Sequence, residues 1–181
     1  LQTLVVEGLN FNQARIDGLV SEGADHSVTI RNNILFLEID SNNTAAVKID
    51  ARVPMTGVVS GNRITSIGQG IAARAITAPA EAVDFLFERN VIDTSLPSQS
   101  NDGIELDFRG SGTYSVRAHS NVIDRVGGCN CGGNAGISLV VLQTPAVDAS
   151  ITNNTSCGAS STVFCMIFRI LLNSAIRLDL L

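Results

Sequence analysis

The sequence predicts an all-β chain folded as a right-handed parallel β-helix solenoid of about five to six coils, and three observations carry that expectation. Two short motifs recur in step along the 181 residues. The segments that hold them alternate apolar and polar residues at period two, the signature of strands rather than helices. Large rings are scarce, with aromatics at 4%, no Trp and a single Tyr, Tyr114, although 45% of the chain is hydrophobic. An interior of Val, Ile, Leu and Ala suits thin repeated layers better than one deep core.

The first motif is an alternating strand that ends in Asn, one further residue and usually an apolar one. It runs Val28-Thr29-Ile30-Arg31-Asn32-Asn33-Ile34 and returns as Val58-Val59-Ser60-Gly61-Asn62-Arg63-Ile64. Further copies are Phe85 to Ile92 and Val116 to Ile123, with weaker ones at Ala149 to Thr155 and Val5 to Asn10. Taking Asn10, Asn32, Asn62, Asn90, Asn121 and Asn153 as markers, a first step of 22 residues is followed by intervals of 30, 28, 31 and 32. At a bend between stacked sheets, an asparagine amide can bond the turn backbone and the asparagine of the next coil. Asn32, Asn62, Asn90, Asn121 and Asn153 are therefore expected to form a structural ladder.

The second motif is a small residue followed by an apolar one. Its copies are Asp17-Gly18-Leu19, Ala46-Val47-Lys48-Ile49, Gly70-Ile71-Ala72-Ala73, Gly103-Ile104-Glu105-Leu106 and Gly136-Ile137-Ser138-Leu139. A single unit of this kind cannot bury its own apolar face, so neighbours must stack about 4.8 Å apart.

The Asn-x-Ile and Gly-Ile-x-Leu copies resemble the coils of right-handed parallel β-helix proteins, the pectate-lyase-like superfamily with its PbH1-type repeats, over roughly residues 4 to 165. The resemblance implies the fold. It leaves function open among polysaccharide lyases, glycoside hydrolases, epimerases, tailspikes and non-catalytic surface proteins.

Between the two motifs, three coils carry insertions at one corner: Asp40 to Thr44, Ser95 to Asn101 and Gly127 to Asn134. Insertions on one side of a solenoid can form a binding face or serve as tolerated surface loops. Cys129 and Cys131 lie in the third insertion and Cys157 in the corresponding turn of the next coil. A disulfide from Cys157 to one of them, free thiols and a metal site are the alternatives, and no further ligand near that corner argues for the metal. Cys165 falls in a strand and reads as a buried small hydrophobe.

Parity assigns an outward face to the strand after the second motif. With Val47, Ile49 and Ala51 inward, Lys48, Asp50 and Arg52 point out, followed by Ala72, Arg74 and Ile76, then Glu105, Asp107 and Arg109. Stacking puts Asp50, Arg74 and Asp107 in one column of alternating charge. Lys48, Asp50, Arg52, Arg74, Asp107 and Arg109 are thus the candidate binding residues. Asp102, Glu105, Asp107 and Arg109 are the candidate acid, base or clamp for sugar chemistry. The competing reading is a solvated face neutralised by its own ion pairs. The segment Asn101-Asp102-Gly103-Ile104 resembles the Asn-Thr-Asp-Gly-Ile stretch of polygalacturonase-like hydrolases, but the Asp-Asp pair, Gly-His-Gly and Arg-Ile-Lys of that pattern are missing. His26 and His119 are the two histidines, and His119, beside Asn121, reads as structural.

A net charge of −5 without a basic patch argues against nucleic acid. The longest apolar run near the end, Val163 to Phe168, is too short to span a bilayer. No cofactor or metal is expected. The chain starts at Leu1 and carries no signal peptide, so residues 1–181 read as a single β-helix domain of a longer chain or assembly. Residues 166–181 are expected to form an apolar terminal coil, cap or interface through which the chain self-associates or meets another domain. These readings converge on a non-catalytic extracellular or cell-surface module, a scaffold or adhesin-like surface that binds polysaccharide. The alternative is a lyase, hydrolase or epimerase working along the charged sheet.

Overall fold

The computed structural model describes residues 2–12, 16–17, 26–37, 45–66, 68–79, 81–94, 102–124, 136–157 and 175–180. Among these every regular element is a strand, and every strand pairing is parallel. The chain passes repeatedly through three sheets. The first sheet holds seven strands: β1 (Gln2–Glu7), β4 (His26–Arg31), β7 (Met55–Ser60), β10 (Ala82–Glu88), β13 (Thr113–His119), β16 (Ala146–Thr152) and β18 (Ala175–Leu180). The second holds six: β2 (Asn10–Asn12), β5 (Ile34–Leu37), β8 (Arg63–Ser66), β11 (Val91–Asp93), β14 (Val122–Asp124) and β17 (Thr155–Cys157). The third holds five: β3 (Ile16–Asp17), β6 (Ala45–Ala51), β9 (Gln69–Thr77), β12 (Ile104–Gly110) and β15 (Ile137–Val141).

The result is a parallel β-solenoid of about 4 turns. The expected five to six coils counted terminal motifs that do not complete a turn among the described residues. The first pass has only Ile16–Asp17 in the third sheet, and no described third-sheet strand follows β17.

Alternation dictates the core. In β10, Val83, Phe85 and Phe87 are buried while Asp84, Leu86 and Glu88 line the outer side. Aliphatic residues fill most of the interior, as the composition predicts, and four rings, Phe85, Phe87, Phe108 and Tyr114, are buried among them. Phe85 stacks on Phe108 with centroids 6.4 Å apart, and Phe108 stacks on Tyr114 at 5.0 Å. Gly57 makes room for this stack, since a Cβ there would lie 2.6 Å from the Phe85 ring. The buried Tyr114 hydroxyl accepts hydrogen bonds from the Thr77 N–H and hydroxyl, both at 3.1 Å, and donates to the Arg109 carbonyl. It thereby ties β9, β12 and β13 together at the corner between the third and first sheets.

The asparagine ladder exists, with its register corrected at both ends. It runs Asn33, Asn62, Asn90, Asn121 and Asn154. Each of the first four amides donates one hydrogen to the Oδ1 of the next asparagine at 2.8–3.0 Å. All five amides donate to a carbonyl of the preceding coil, Val6, Ile30, Val59, Phe87 or Ala118 in turn. Each Oδ1 also accepts the backbone N–H of the preceding ladder residue, so the whole amide is satisfied at every inner rung.

Asn32 and Asn153 are not rungs. They occupy the position just before, where the backbone is left-handed: φ is 57° at Asn32 and 54° at Asn153, as it is positive at Gly8, Gly61, Arg89 and Ser120. Asparagine tolerates this region better than most residues, so either member of an Asn-Asn pair fits the motif and only the stacked register separates them. At the first pass the rung is Leu9, whose N–H donates to Asn33 at 3.0 Å, and Asn10 instead pairs with Ile34 in the second sheet.

The second motif is explained by close approach. A Cβ at Gly70 would lie 2.4 Å from the Ile92 side chain and 2.6 Å from the Gly103 carbonyl, and one at Gly103 would meet Ile123 and the Gly136 carbonyl at the same distances. The first copy is displaced: Ile16 pairs with Val47 and Asp17 with Lys48, so Ile16 takes the apolar position expected of Leu19. Residues 18 and 19 lie outside the described residues.

Candidate functional site

The outer face of the third sheet gathers the charged residues that parity predicts. The register places Lys48, Ala72, Glu105 and Ser138 in one row across β6, β9, β12 and β15. Asp50, Arg74, Asp107 and Val140 form the next row. Ile76 and Arg109 neighbour each other in a third, while Arg52 follows the end of β6. The predicted column of Asp50, Arg74 and Asp107 is therefore real in the backbone. Ala72 holds the outward position yet is buried, between Lys48 and Glu105 in the register.

The side chains pair between these rows. Arg109 grips Asp107, two residues earlier on the same strand. Its Nε donates to Oδ1 at 2.8 Å and Oδ2 at 3.1 Å, and a terminal nitrogen donates to Oδ2 at 2.6 Å. Asp107 is nearly covered, with 4% of its side chain exposed, whereas Arg109 is 45% exposed and presents the outer edge of the pair. This hydrogen bonding to Asp107 raises the Arg109 pKa above its ordinary value, assisted by the charges of Asp107 and Glu105. Glu105 accepts a hydrogen bond from the Gln69 amide and lies 3.7 Å from the Arg74 guanidinium. Asp102 accepts from the Ser138 hydroxyl at 2.7 Å.

Such an arrangement can orient hydroxyl or carboxylate groups laid across it. The carboxylates that a proton-transfer mechanism needs are engaged by donors of the same sheet. Among the described residues, no group of three or more His, Cys, Asp or Glu side chains could hold a metal ion. The three insertions, Asp40 to Thr44, Ser95 to Asn101 and Gly127 to Asn134, lie outside the described residues. So do Cys129, Cys131, Cys165 and the side chain of Cys157, and with them the expected disulfide. Of the terminal segment 166–181, residues Ala175–Leu180 form β18, which pairs with β16. Among the described residues, no helix is long and apolar enough to cross a membrane.

The outer face of the first sheet carries a second constellation that the sequence did not single out. Glu7 accepts from Arg31 at 2.7 Å, Arg117 pairs with Asp84 at 3.2 Å, and Glu88 pairs with Arg89 at 2.8 Å and lies 3.4 Å from His119. Arg31 holds the Glu7 carboxyl below its ordinary range. Within this face a hollow of about 590 Å³ lies over Val58, Ser60 and Gly61, walled by Arg31 and Asn32 on one side and by Glu88 and Arg89 on the other. Its sequence signal is the pair Ser60-Gly61, the smallest side chains to precede a ladder asparagine in any copy of the motif.

The fold and these faces define a parallel β-solenoid. Comparison with protein-family models, curated proteins and solved structures gives no match.

Proposed function

We propose that this chain is a non-catalytic extracellular β-solenoid module, a scaffold or adhesin-like surface of the right-handed, pectate-lyase-like kind, whose outer sheet faces bind polysaccharide. The observation that carries this reading is the engagement of the third-sheet carboxylates. Asp107 is clamped by three contacts from Arg109, and Glu105 and Asp102 each accept a hydrogen bond from a neutral neighbour, Gln69 and Ser138. A general base must be open to the proton that it removes, whereas a binding face benefits from side chains held in fixed geometry. Rows of polar groups repeating at coil spacing also suit a ligand that itself repeats along an extended chain.

Incubation with a panel of acidic and neutral polysaccharides tests the reading. Retardation in polysaccharide-containing gels, with no new reducing or unsaturated ends, is the expected result. Accumulation of cleavage product that disappears in Asp107→Ala or Asp102→Ala would instead establish a lyase or hydrolase.

A further inference from the structure

We propose that the hollow over Ser60 and Gly61 on the first sheet is a binding site for a neutral glycan, admitting one or two sugar residues. The proposal rests on the carbohydrate-binding reading above and locates a site away from the charged third-sheet face.

The hollow arises from the stacking of three successive passes. At the end of each first-sheet strand, one outward residue and one left-handed residue precede the ladder asparagine. These pairs are Arg31 and Asn32 after β4, Ser60 and Gly61 after β7, and Glu88 and Arg89 after β10. The middle pass therefore contributes the two smallest residues between two tall neighbours, and a notch opens where a flat sheet would otherwise continue. Glycine is the residue that best suits this position. The backbone there has φ of 62°, and a Cβ would lie 2.7 Å from the Asn32 side-chain oxygen. Thr29 and Val58 form the floor, and the open hollow of about 590 Å³ lies within the ordinary range for small-ligand sites.

The chemistry of the walls selects the ligand class. Both arginines bring their own counter-charge, Arg31 from Glu7 at 2.7 Å and Arg89 from Glu88 at 2.8 Å. An anion entering the notch therefore meets balanced charge and would have to displace a carboxylate. A polyhydroxyl ligand meets guanidinium and hydroxyl donors, carboxylate and hydroxyl acceptors, and the apolar surface of Val58 for a ring face. Arg89 is 71% exposed, leaving most of its donors directed to solvent beside the notch.

The test is titration of the ¹⁵N-labelled chain with mannotetraose, cellotetraose and laminaritetraose, with trigalacturonate as the acidic counterpart. At least one neutral tetraose should shift the amides of Thr29, Ser60, Gly61 and Arg89. Ser60→Leu, which fills the notch without changing charge, should weaken that binding by about tenfold or more. Arg89→Gly, which preserves the left-handed backbone and removes one wall, should weaken it several-fold, and Asp124→Asn on the second sheet should leave it within twofold. Unchanged circular dichroism and a melting temperature no lower than that of the parent chain establish that each variant is folded. If neutral sugars bind but the shifts map to the third sheet and Ser60→Leu is silent, the notch is overturned while the carbohydrate reading stands. If only trigalacturonate binds in the notch, the neutral class is wrong. If none of the four binds, both readings fall.

Discussion

Asn90 shows how much one buried amide can hold. It is fully buried, donates to the Val59 carbonyl at 2.9 Å and to Asn121 at 3.0 Å, and accepts both the N–H and the amide of Asn62. Asn90→Ala strands several of these partners at once in a dry corner, so urea unfolding should show a loss of about 3 kcal/mol or more. One residue earlier, Arg89 has φ of 52°, and Arg89→Gly should be neutral or stabilising by up to about 1 kcal/mol. The same contrast separates Asn33 from Asn32. Replacing Asn33 by glycine should be costly, and replacing Asn32 by glycine tolerated. At the surface, Glu7 has its pKa lowered by the hydrogen bond and charge of Arg31. A depressed carboxyl adds stability above its ordinary value of 4.5, and that contribution disappears as pH falls through the folded-state value. The pair is exposed, so the direct check is NMR titration of the Glu7 side chain. Its midpoint should lie below 4.5 and return toward it in Arg31→Ala.

Among the elements, packing between neighbouring strands sets which positions tolerate change. Gly57 in β7 faces Phe85 in β10 in register, and a Cβ would lie 2.6 Å from the ring. Gly57→Ala should therefore lower stability by about 1–3 kcal/mol through overpacking, and adding Phe85→Leu should recover part of that loss. A non-additive double-mutant cycle in thermal unfolding would verify the coupling, and simple additivity would refute it. Gly103→Ala should be at least as damaging, because its new methyl meets the Gly136 carbonyl as well as Ile123. A backbone atom in a stacked coil cannot rotate aside as a side chain can.

For the whole molecule, stability should be graded along the solenoid, because each pass contacts only its neighbours. The residues of β1 and β18 whose burial is described are exposed or half-buried, whereas Val59, Phe85, Phe87, Phe108 and Val116 in the middle have no exposed surface. Amide hydrogen exchange should accordingly be slowest in β7, β10 and β13 and fastest in β1 and β18. Uniform protection across the first sheet would contradict this picture and point to further contacts on the terminal strands.

Sequence by itself determined the solenoid class, the strand parity and the existence of an asparagine ladder, because these depend on period-two patterning and on motifs repeated at coil length. It also placed Lys48, Asp50, Arg74, Glu105, Asp107 and Arg109 on one face, since parity along a strand follows from backbone geometry alone. Tertiary structure decided what depends on register between passes. That register assigned the ladder to Asn33 and Asn154 rather than Asn32 and Asn153, moved the first apolar marker to Ile16, and set the Phe85 ring against Gly57. It also formed the Arg109–Asp107 and Arg74–Glu105 pairs on the charged face, and made a notch of Ser60 and Gly61. A motif fixes which residues can fill a position, but a one-residue offset beside an Asn-Asn pair leaves the local pattern intact. Only the hydrogen bonds and van der Waals contacts of the coils above and below remove that degeneracy.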